Sequence, residues 1–271
     1  MEAGKKFIEL KKVFQTKNPR LSRLMPGMVM NYLRNVIHEN EVNAFIAQHG
    51  EKKTFEFAIA VLEMLNVKVK TKGIENIPAT GGFIMACNHP LGGLDAMVLM
   101  EVMSNKRRDI KFIVNDILLQ LKNLEGVFIG TNKHGKNAYE KLRVIDALFG
   151  TDAGILIFPA GLVSRKQNNT IKDLDWQKSF ITRAKKYQRN VIPCLIGGTN
   201  SNRFYNLANW RKRFGIKANI EMFFLVDEMF KKRNNTIEVT IGKPISFLVF
   251  DKSKTDLQWA DWVKTQVYGL N

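Results

Sequence analysis

One histidine and one aspartate occupy positions at which they could move a proton. His89 follows the apolar run "FIMACN", and Asp95 opens the apolar segment "DAMVLMEVM". The run predicts a strand, the segment predicts a helix whose first turn favours a carboxylate, and Pro90, Gly92 and Gly93 predict a tight turn between them. A carboxylate bonded to one imidazole nitrogen leaves the other nitrogen to accept a proton from a hydroxyl. The pair is therefore predicted to be a general-base dyad.

Each of the two residues alone also has an ordinary structural explanation. A lone histidine often packs in a core or caps a helix, and an aspartate at a helix start commonly serves as an N-cap. Cys87 precedes His89 by two residues and shares its strand face, which raises a cysteine-histidine nucleophile as an alternative. A cysteine within an apolar run more often packs. The combination at the end of a strand favours the dyad.

The elements that must position the dyad predict an α/β domain over residues 68–271. Short β-rich runs alternate with amphipathic helical segments, and several runs are continuously apolar, as is typical of central strands covered on both faces. The runs are "VKVKTKGI", "GFIMACN", "IKFIVN", "GVFIG", "GILIFPAG", "VIPCLIGG" and "TIEVTIGKPI". We predict a mixed, mostly parallel sheet flanked by helices.

Residues 1–67 predict an N-terminal amphipathic helical region. In "LMPGMVMNYLRNVIHENEVNAFI" the apolar residues recur on one helical face. This face either packs on the domain or inserts partly into a membrane.

The charge balance points to an anionic partner. Lys and Arg number 42 against 25 acidic residues, a net charge of +17, which suits nucleic acid, a lipid surface or an acidic carrier.

Both cysteines lie in apolar runs and the histidines lack ligand spacing, so we expect neither a disulfide framework nor a metal site. No apolar segment reaches the about 18 to 20 residues that span a bilayer, and the N-terminus lacks signal-peptide features. These features predict a cytoplasmic protein with peripheral membrane contact.

Three segments together resemble a known family. "NHPLGGLD", "FPAGLVSR" and "IPCLIGG" are similar to the glycerolipid acyltransferase superfamily, in particular its hemolysin-like branch, which includes O-acyltransferases of lyso-aminolipids. The resemblance covers residues 68–245 and implies the glycerolipid acyltransferase fold. Members usually place four residues between the histidine and the aspartate. This chain has five, a spacing that the hemolysin-like branch shares.

The resemblance also implies a set of substrate-binding residues. Lys133, in "GVFIGTNK", takes the place of the arginine that usually holds the acceptor. Ala160 replaces the family's acceptor-binding glutamate, which argues against glycerol phosphate acceptors, and Arg165 could meet an anionic headgroup or the carrier phosphate. The predicted substrate-binding residues are Asn88, Gly92, Gly93, Lys133, Phe158, Pro159, Gly161, Ser164 and Arg165.

The predicted function is acyl transfer from an acyl carrier protein or coenzyme A thioester to the hydroxyl of a lysolipid, preferably a lyso-aminolipid. His89 would act as base, Asp95 would orient it, and the N–H groups around Gly92 and Gly93 would stabilise the oxyanion. The thioester is a co-substrate, and no further cofactor is expected. Acylation of lysophosphatidic acid is one alternative, and a non-catalytic membrane- or nucleic-acid-binding protein on the same scaffold is another.

The predicted location is the inner face of the cytoplasmic membrane. The segment "NRFYNLANWRKRFG" mixes basic and aromatic residues, which suits an anionic bilayer, although a solvated helix face would look the same. No nucleic-acid-binding motif is present, so no nucleic acid partner is expected.

Overall fold

The apolar runs predicted as strands form a central sheet in the computed structural model, which describes residues 8–17, 23–114, 119, 121–130, 138–216 and 219–270. The strands described are β1 (Lys68–Lys72), β2 (Phe83–Cys87), β3 (Ile110–Val114), β4 (Phe128–Gly130), β5 (Gly154–Ile157), β6 (Arg165–Gln167), β7 (Thr170–Lys172), β8 (Asn190–Ile196) and β9 (Thr236–Ile241).

Seven of the described strands form one sheet in the order β1-β9-β8-β2-β5-β3-β4, and β6 and β7 form a separate hairpin. Neighbouring strands of the sheet run parallel, except that β8 and β9 are antiparallel. The central strands β2 and β5 are buried along their whole length, because helices cover both faces. The predicted mixed, mostly parallel sheet is confirmed. The small β6–β7 hairpin was not predicted.

Helices form a layer on each face of the sheet. The helices used below are α1 (Leu10–Lys17), α2 (Gly27–Val36), α3 (Glu39–His49), α4 (Thr54–Met64), α5 (Gly93–Ser104), α6 (Ala138–Leu148), α7 (Ser179–Lys186), α8 (Asn202–Arg213), α9 (Leu225–Phe230) and α10 (Asp256–Tyr268). Met85 and Cys87 of β2 join the core cluster that contains α4 and α5. Ile84 and Ala86 join the cluster that contains α7 and α10. The alternation of a strand thus builds two cores from one sequence run.

The described part of the N-terminal region is helical, as predicted. Phe55, Phe57 and Leu62 of α4 fill the main core, whereas Met28 and Val29 of α2 are exposed. The predicted domain boundary at residue 67 stays a prediction. Among the described helices, none has both the length and the apolar character needed to cross a membrane.

Candidate functional site

The end of β2 and the start of α5 hold the predicted dyad. Gly92 precedes α5 with φ 78° and ψ −131°, a conformation that glycine adopts far more readily than other residues. This turn folds the chain back, so that Asp95 in the first turn of α5 reaches His89 at the end of β2. The Nδ1 atom of His89 lies 2.8 Å from Oδ2 of Asp95. The structure therefore brings the two predicted catalytic residues into hydrogen-bond contact.

Asp95 is fully buried, and its hydrogen bonds are made through one oxygen. Oδ2 also accepts hydrogen bonds from the N–H groups of Leu91 at 2.9 Å and Gly92 at 3.0 Å. Oδ1 has no hydrogen-bond partner among the described residues. Burial raises the pKa of Asp95, and the hydrogen bond with His89 opposes this effect. Such a carboxylate is stabilised most when the neighbouring imidazole is positively charged, which suits a base that becomes protonated.

Phe158 covers one face of the His89 ring. The two ring centroids are 4.1 Å apart and the ring planes differ by 19°. Phe158 also begins a tight turn, closed by a hydrogen bond of 2.9 Å from the N–H of Gly161 to the Phe158 carbonyl. Pro159 is buried in this turn, whereas Gly161 is exposed and has open space on its side-chain side. The predicted approach of substrate to Gly161 is therefore sterically open and stays a prediction.

The Nε2 atom of His89 is the ring nitrogen left for a substrate. The side chain of His89 is 18% exposed, and within the described part of the chain its hydrogen-bonding ring contact is Nδ1 to Asp95. Fixing a proton on Nδ1 leaves a lone pair on Nε2, which is the form that a general base requires.

Asp173 fixes the backbone of His89, and the sequence analysis missed it. Oδ1 of Asp173 accepts hydrogen bonds from the N–H of His89 at 3.1 Å and the hydroxyl of Ser164 at 2.6 Å. Oδ2 accepts one from Trp176 Nε1 at 2.9 Å. The N–H of Ser164 donates to the His89 carbonyl at 2.8 Å, and the N–H of Asp173 donates to the Tyr268 hydroxyl at 2.8 Å. The backbone N–H and the backbone carbonyl of His89 are thus both held by hydrogen bonds.

Asn88 joins the ends of two central strands. Its Nδ2 donates to the carbonyl of Ile196 at 2.9 Å, and its Oδ1 accepts from the N–H of the same residue at 2.7 Å. Both polar groups of the buried Asn88 side chain are therefore used within the protein. The predicted contact of Asn88 with substrate stays a prediction, and the geometry favours a structural role.

Arg165 is buried in an ion cluster. It donates to Oε1 of Glu221 at 2.9 Å and to the carbonyl of Val163 at 2.7 Å, and Arg211 pairs with the same glutamate at 2.8 Å. Burial lowers the pKa of Arg165. Because these contacts occupy the guanidinium of Arg165, the arrangement disfavours its contact with a headgroup or a carrier phosphate. That contact stays a prediction.

The two predicted oxyanion donors differ in the structure. The N–H of Gly92 is already bonded to Asp95. Gly93 is exposed at the start of α5, and its N–H has no partner within the described ranges. Gly93 is therefore the better placed donor of the pair. Lys133, the predicted acceptor-binding cation, lies outside the described residues.

The environment of Cys87 disfavours the nucleophile alternative. The thiol is fully buried, and burial together with the neighbouring Cys194 raises its pKa well above the ordinary value. The reactive thiolate is therefore scarce.

In the part of the chain that the structure describes, no group of three or more histidine, cysteine or acidic residues could hold a metal ion.

A groove of about 510 Å³ does not include the dyad in its lining. It is lined by Leu119, Leu121, Lys122, Leu124, Glu125, Gly126, Phe128, Ile129, Gly130 and Val144. Because neither His89 nor Asp95 lines it, we do not place the chemistry there.

Comparison with known proteins identifies the family. A family model described as "Acyltransferase" matches residues 12–271. The chain belongs to this acyltransferase family. The resemblance inferred from the sequence motifs is confirmed, and the prediction of an acyltransferase is confirmed at the level of the family.

The acyltransferase is also similar to two curated proteins over nearly its whole length. A lyso-glycine lipid O-acyltransferase of Bacteroides thetaiotaomicron is 44% identical over 264 residues, covering 97% of this chain and 97% of that protein. A protein of the same name from Phocaeicola vulgatus is 41% identical over 264 residues, covering 97% of this chain and 95% of that protein.

A solved structure shares the fold of this acyltransferase. The crystal structure of PlsC from Thermotoga maritima, a 1-acyl-sn-glycerophosphate (LPA) acyltransferase, superposes with a TM-score of 0.50 at 17% sequence identity. The match covers 91% of this chain and 98% of that chain. The predicted glycerolipid acyltransferase fold is thereby confirmed.

Proposed function

We propose that this acyltransferase moves a fatty acyl group from an acyl carrier protein or coenzyme A thioester to the hydroxyl of a lysolipid, with a lyso-aminolipid as acceptor. The observation that carries the chemistry is the 2.8 Å contact between His89 and the buried Asp95. The names of the two curated relatives, both lyso-glycine lipid O-acyltransferases, support the acceptor.

The proposed reaction is a direct transfer. Nε2 of His89 takes the proton of the lysolipid hydroxyl while the hydroxyl oxygen attacks the thioester carbonyl. Asp95 stabilises the imidazolium, and the N–H of Gly93 donates to the oxyanion of the tetrahedral intermediate. The intermediate collapses to the ester, the carbon-sulfur bond breaks, and His89 returns the proton to the departing thiolate. No covalent acyl-enzyme is required.

The acceptor preference rests on two positions near the dyad. Ala160 stands where the resembling phosphatidate-forming enzymes have a glutamate, and the buried Arg165 already neutralises Glu221. Neither residue offers a free charge for a glycerol phosphate. Lysophosphatidic acid should therefore be the poorer acceptor.

The proposed location is the inner face of the cytoplasmic membrane, bound peripherally. The net charge of +17 supports attraction to an anionic surface. A lysolipid substrate seldom leaves a bilayer, so the enzyme must reach the surface.

The experiment is an acyl-transfer assay with the purified full-length protein. Labelled acyl carrier protein and acyl coenzyme A are each offered with lyso-glycine lipid, lysophosphatidic acid and lysophosphatidylcholine, and products are separated and identified by mass. We expect an O-acylated glycine lipid as the main product. A clear preference for lysophosphatidic acid would contradict the acceptor, and absence of transfer to every lysolipid would contradict the function.

A further inference from the structure

Large apolar side chains are exposed at the C-terminal end of α8 and in the short turn before α9, two segments that the Arg211–Glu221 ion pair joins. Trp210, Phe214 and Phe223 are 56%, 60% and 53% exposed, and the rings of Trp210 and Phe214 lie 4.5 Å apart. Ile216 and Met222 are exposed beside them in sequence. We call these five residues the aromatic platform. Scattered exposed apolar residues are ordinary, but a cluster of this kind indicates a contact surface.

A buried ion cluster supports the aromatic platform. The fully buried carboxylate of Glu221 lies 2.9 Å from Arg165 and 2.8 Å from Arg211. Arg211 also donates to the carbonyl of Ile216 at 2.8 Å. These contacts join β6, α8 and the turn before α9. The exposed rings are therefore carried on an internally bonded support, and a buried cluster of this kind is costly to break.

The exposed charges of the described segment that carries the aromatic platform are positive. Within residues 202–224 the one acidic side chain is Glu221, and the buried cluster neutralises it. Arg203, Lys212 and Arg213 are exposed. Aromatic rings insert at the interface of a bilayer while basic side chains attract its anionic headgroups, so this combination complements an anionic membrane.

The support of the aromatic platform reaches the catalytic turn. Leu225 follows the turn that carries Phe223, and its side chain packs close to Gly92. A methyl group added to Gly92 would lie 3.2 Å from the Leu225 side chain. Gly92 in turn donates to Asp95. Leu225, two residues after Phe223, therefore packs beside the backbone of the catalytic turn.

We propose that the aromatic platform binds an anionic lipid bilayer, which brings the catalytic turn to the surface where a lipid acceptor resides. The use of this contact rests on the proposed function, whereas the binding itself does not. An acidic protein would match the charge of the platform. A bilayer accounts for the exposed rings as well, because its interface accommodates them without a preformed pocket.

The first test measures binding of the full-length protein to vesicles. Vesicles of phosphatidylcholine with phosphatidylglycerol are compared with vesicles of phosphatidylcholine alone. The double variant Trp210→Ala/Phe214→Ala should bind the anionic vesicles on the order of tenfold more weakly than the wild type. The matched control is Leu248→Ala/Leu257→Ala, which removes two exposed apolar side chains elsewhere. The control should stay within about twofold of the wild type.

The second test separates charge from apolar insertion. Lys212→Gln/Arg213→Gln should weaken binding to anionic vesicles about tenfold, whereas the exposed pair Lys243→Gln/Lys252→Gln should have a smaller effect. Brominated lipids should quench the tryptophan fluorescence of the wild type. The same lipids should quench Trp210→Phe far less, because Trp176 and Trp259 are buried and Trp262 is partly buried against a core cluster.

The outcomes decide between partners. Unchanged vesicle binding by Trp210→Ala/Phe214→Ala would overturn the proposal. So would normal vesicle binding combined with lost binding to purified acyl carrier protein, since the platform would then dock a protein. The same variant should transfer acyl groups normally to a detergent-dispersed acceptor and poorly to an acceptor embedded in vesicles. If the wild type transfers to neither but binds vesicles through the platform, the proposed function fails while the membrane surface stands.

Discussion

The Nδ1 atom of His89 lies 2.8 Å from Oδ2 of Asp95, which leaves Nε2 as the basic nitrogen of the site. His89→Ala should lower acyl transfer by at least about 10²-fold, the contribution typical of a general base. The measurement is the rate of ester formation with the preferred lysolipid, together with circular dichroism of the folded variant. His49→Ala, at the C-terminal end of α3, is the matched control and should keep its activity. A folded His89→Ala enzyme with near-normal turnover would remove the mechanism.

Asp95→Asn should lower acyl transfer and should also change how the stability of the protein depends on pH. Asparagine can still accept the backbone hydrogen bonds, but it cannot stabilise an imidazolium as a carboxylate does, so transfer should fall by about 10²-fold or more. Burial raises the pKa of Asp95. Between the ordinary carboxyl pKa of about 3.9 and the raised value, the folded wild type holds a proton that the unfolded chain has released.

The pH dependence of the free energy of unfolding tests whether the pKa of Asp95 is raised in the folded protein. As the pH rises through that window, the free energy of unfolding of the wild type should fall relative to that of Asp95→Asn, which has no carboxyl group to ionise there. Urea denaturation from about pH 3 upward measures the difference. A stability difference that does not change with pH would show that ionised Asp95 costs the fold nothing.

Cys87→Ala should retain acyl transfer. The buried thiol has a raised pKa, so it serves as packing rather than as a nucleophile, and its loss should cost stability of about 1 kcal/mol. Mass spectrometry of the wild type during turnover should show no acyl adduct on the protein. Trapping of an acyl-cysteine would favour the nucleophile alternative.

The sequence predicted the dyad because its two residues are close in the chain. Only a strand end, two glycines and a helix start separate His89 from Asp95, so local rules suffice. Asp173 contacts the backbone of His89 across 84 positions, a separation at which no local pattern operates. The ion pair of Arg165 with Glu221 spans 56 positions, so the sequence did not reveal it, and the predicted contact of Arg165 with an anionic substrate group stays a prediction. Tertiary pairing decides which charges remain free, and a single sequence does not show it.

Asp173→Asn should affect turnover through the position of His89. One of the two acceptor oxygens becomes a donor, which leaves a buried N–H or hydroxyl unpaired and costs about 1–3 kcal/mol of stability. Displacement of His89 should lower kcat by up to about 10²-fold with little change in KM. Trp176→Phe removes one donor without touching the His89 contact and should lose stability but keep kcat. Equal kcat in both variants at matched stability would reduce Asp173 to a structural residue.

Gly93→Ala tests the proposed oxyanion donor. Gly93 begins α5, and a Cβ atom there would meet nothing within 4 Å. Alanine should therefore raise stability by about 0.4–1 kcal/mol, because it restricts the unfolded chain. The new methyl group would nonetheless occupy the open space beside the N–H to which the thioester oxygen must come, so kcat/KM should fall on the order of tenfold or more.

Gly27 provides a matched control for Gly93→Ala. Gly27 begins α2 in the same way, and a Cβ atom there also meets nothing within 4 Å. Gly27→Ala should gain similar stability and leave transfer to a detergent-dispersed acceptor unchanged. Thermal unfolding and initial rates of both variants are compared in the same buffer. If Gly93→Ala gains stability and keeps full activity, the thioester oxygen does not need the open space beside Gly93, which contradicts the proposed donor.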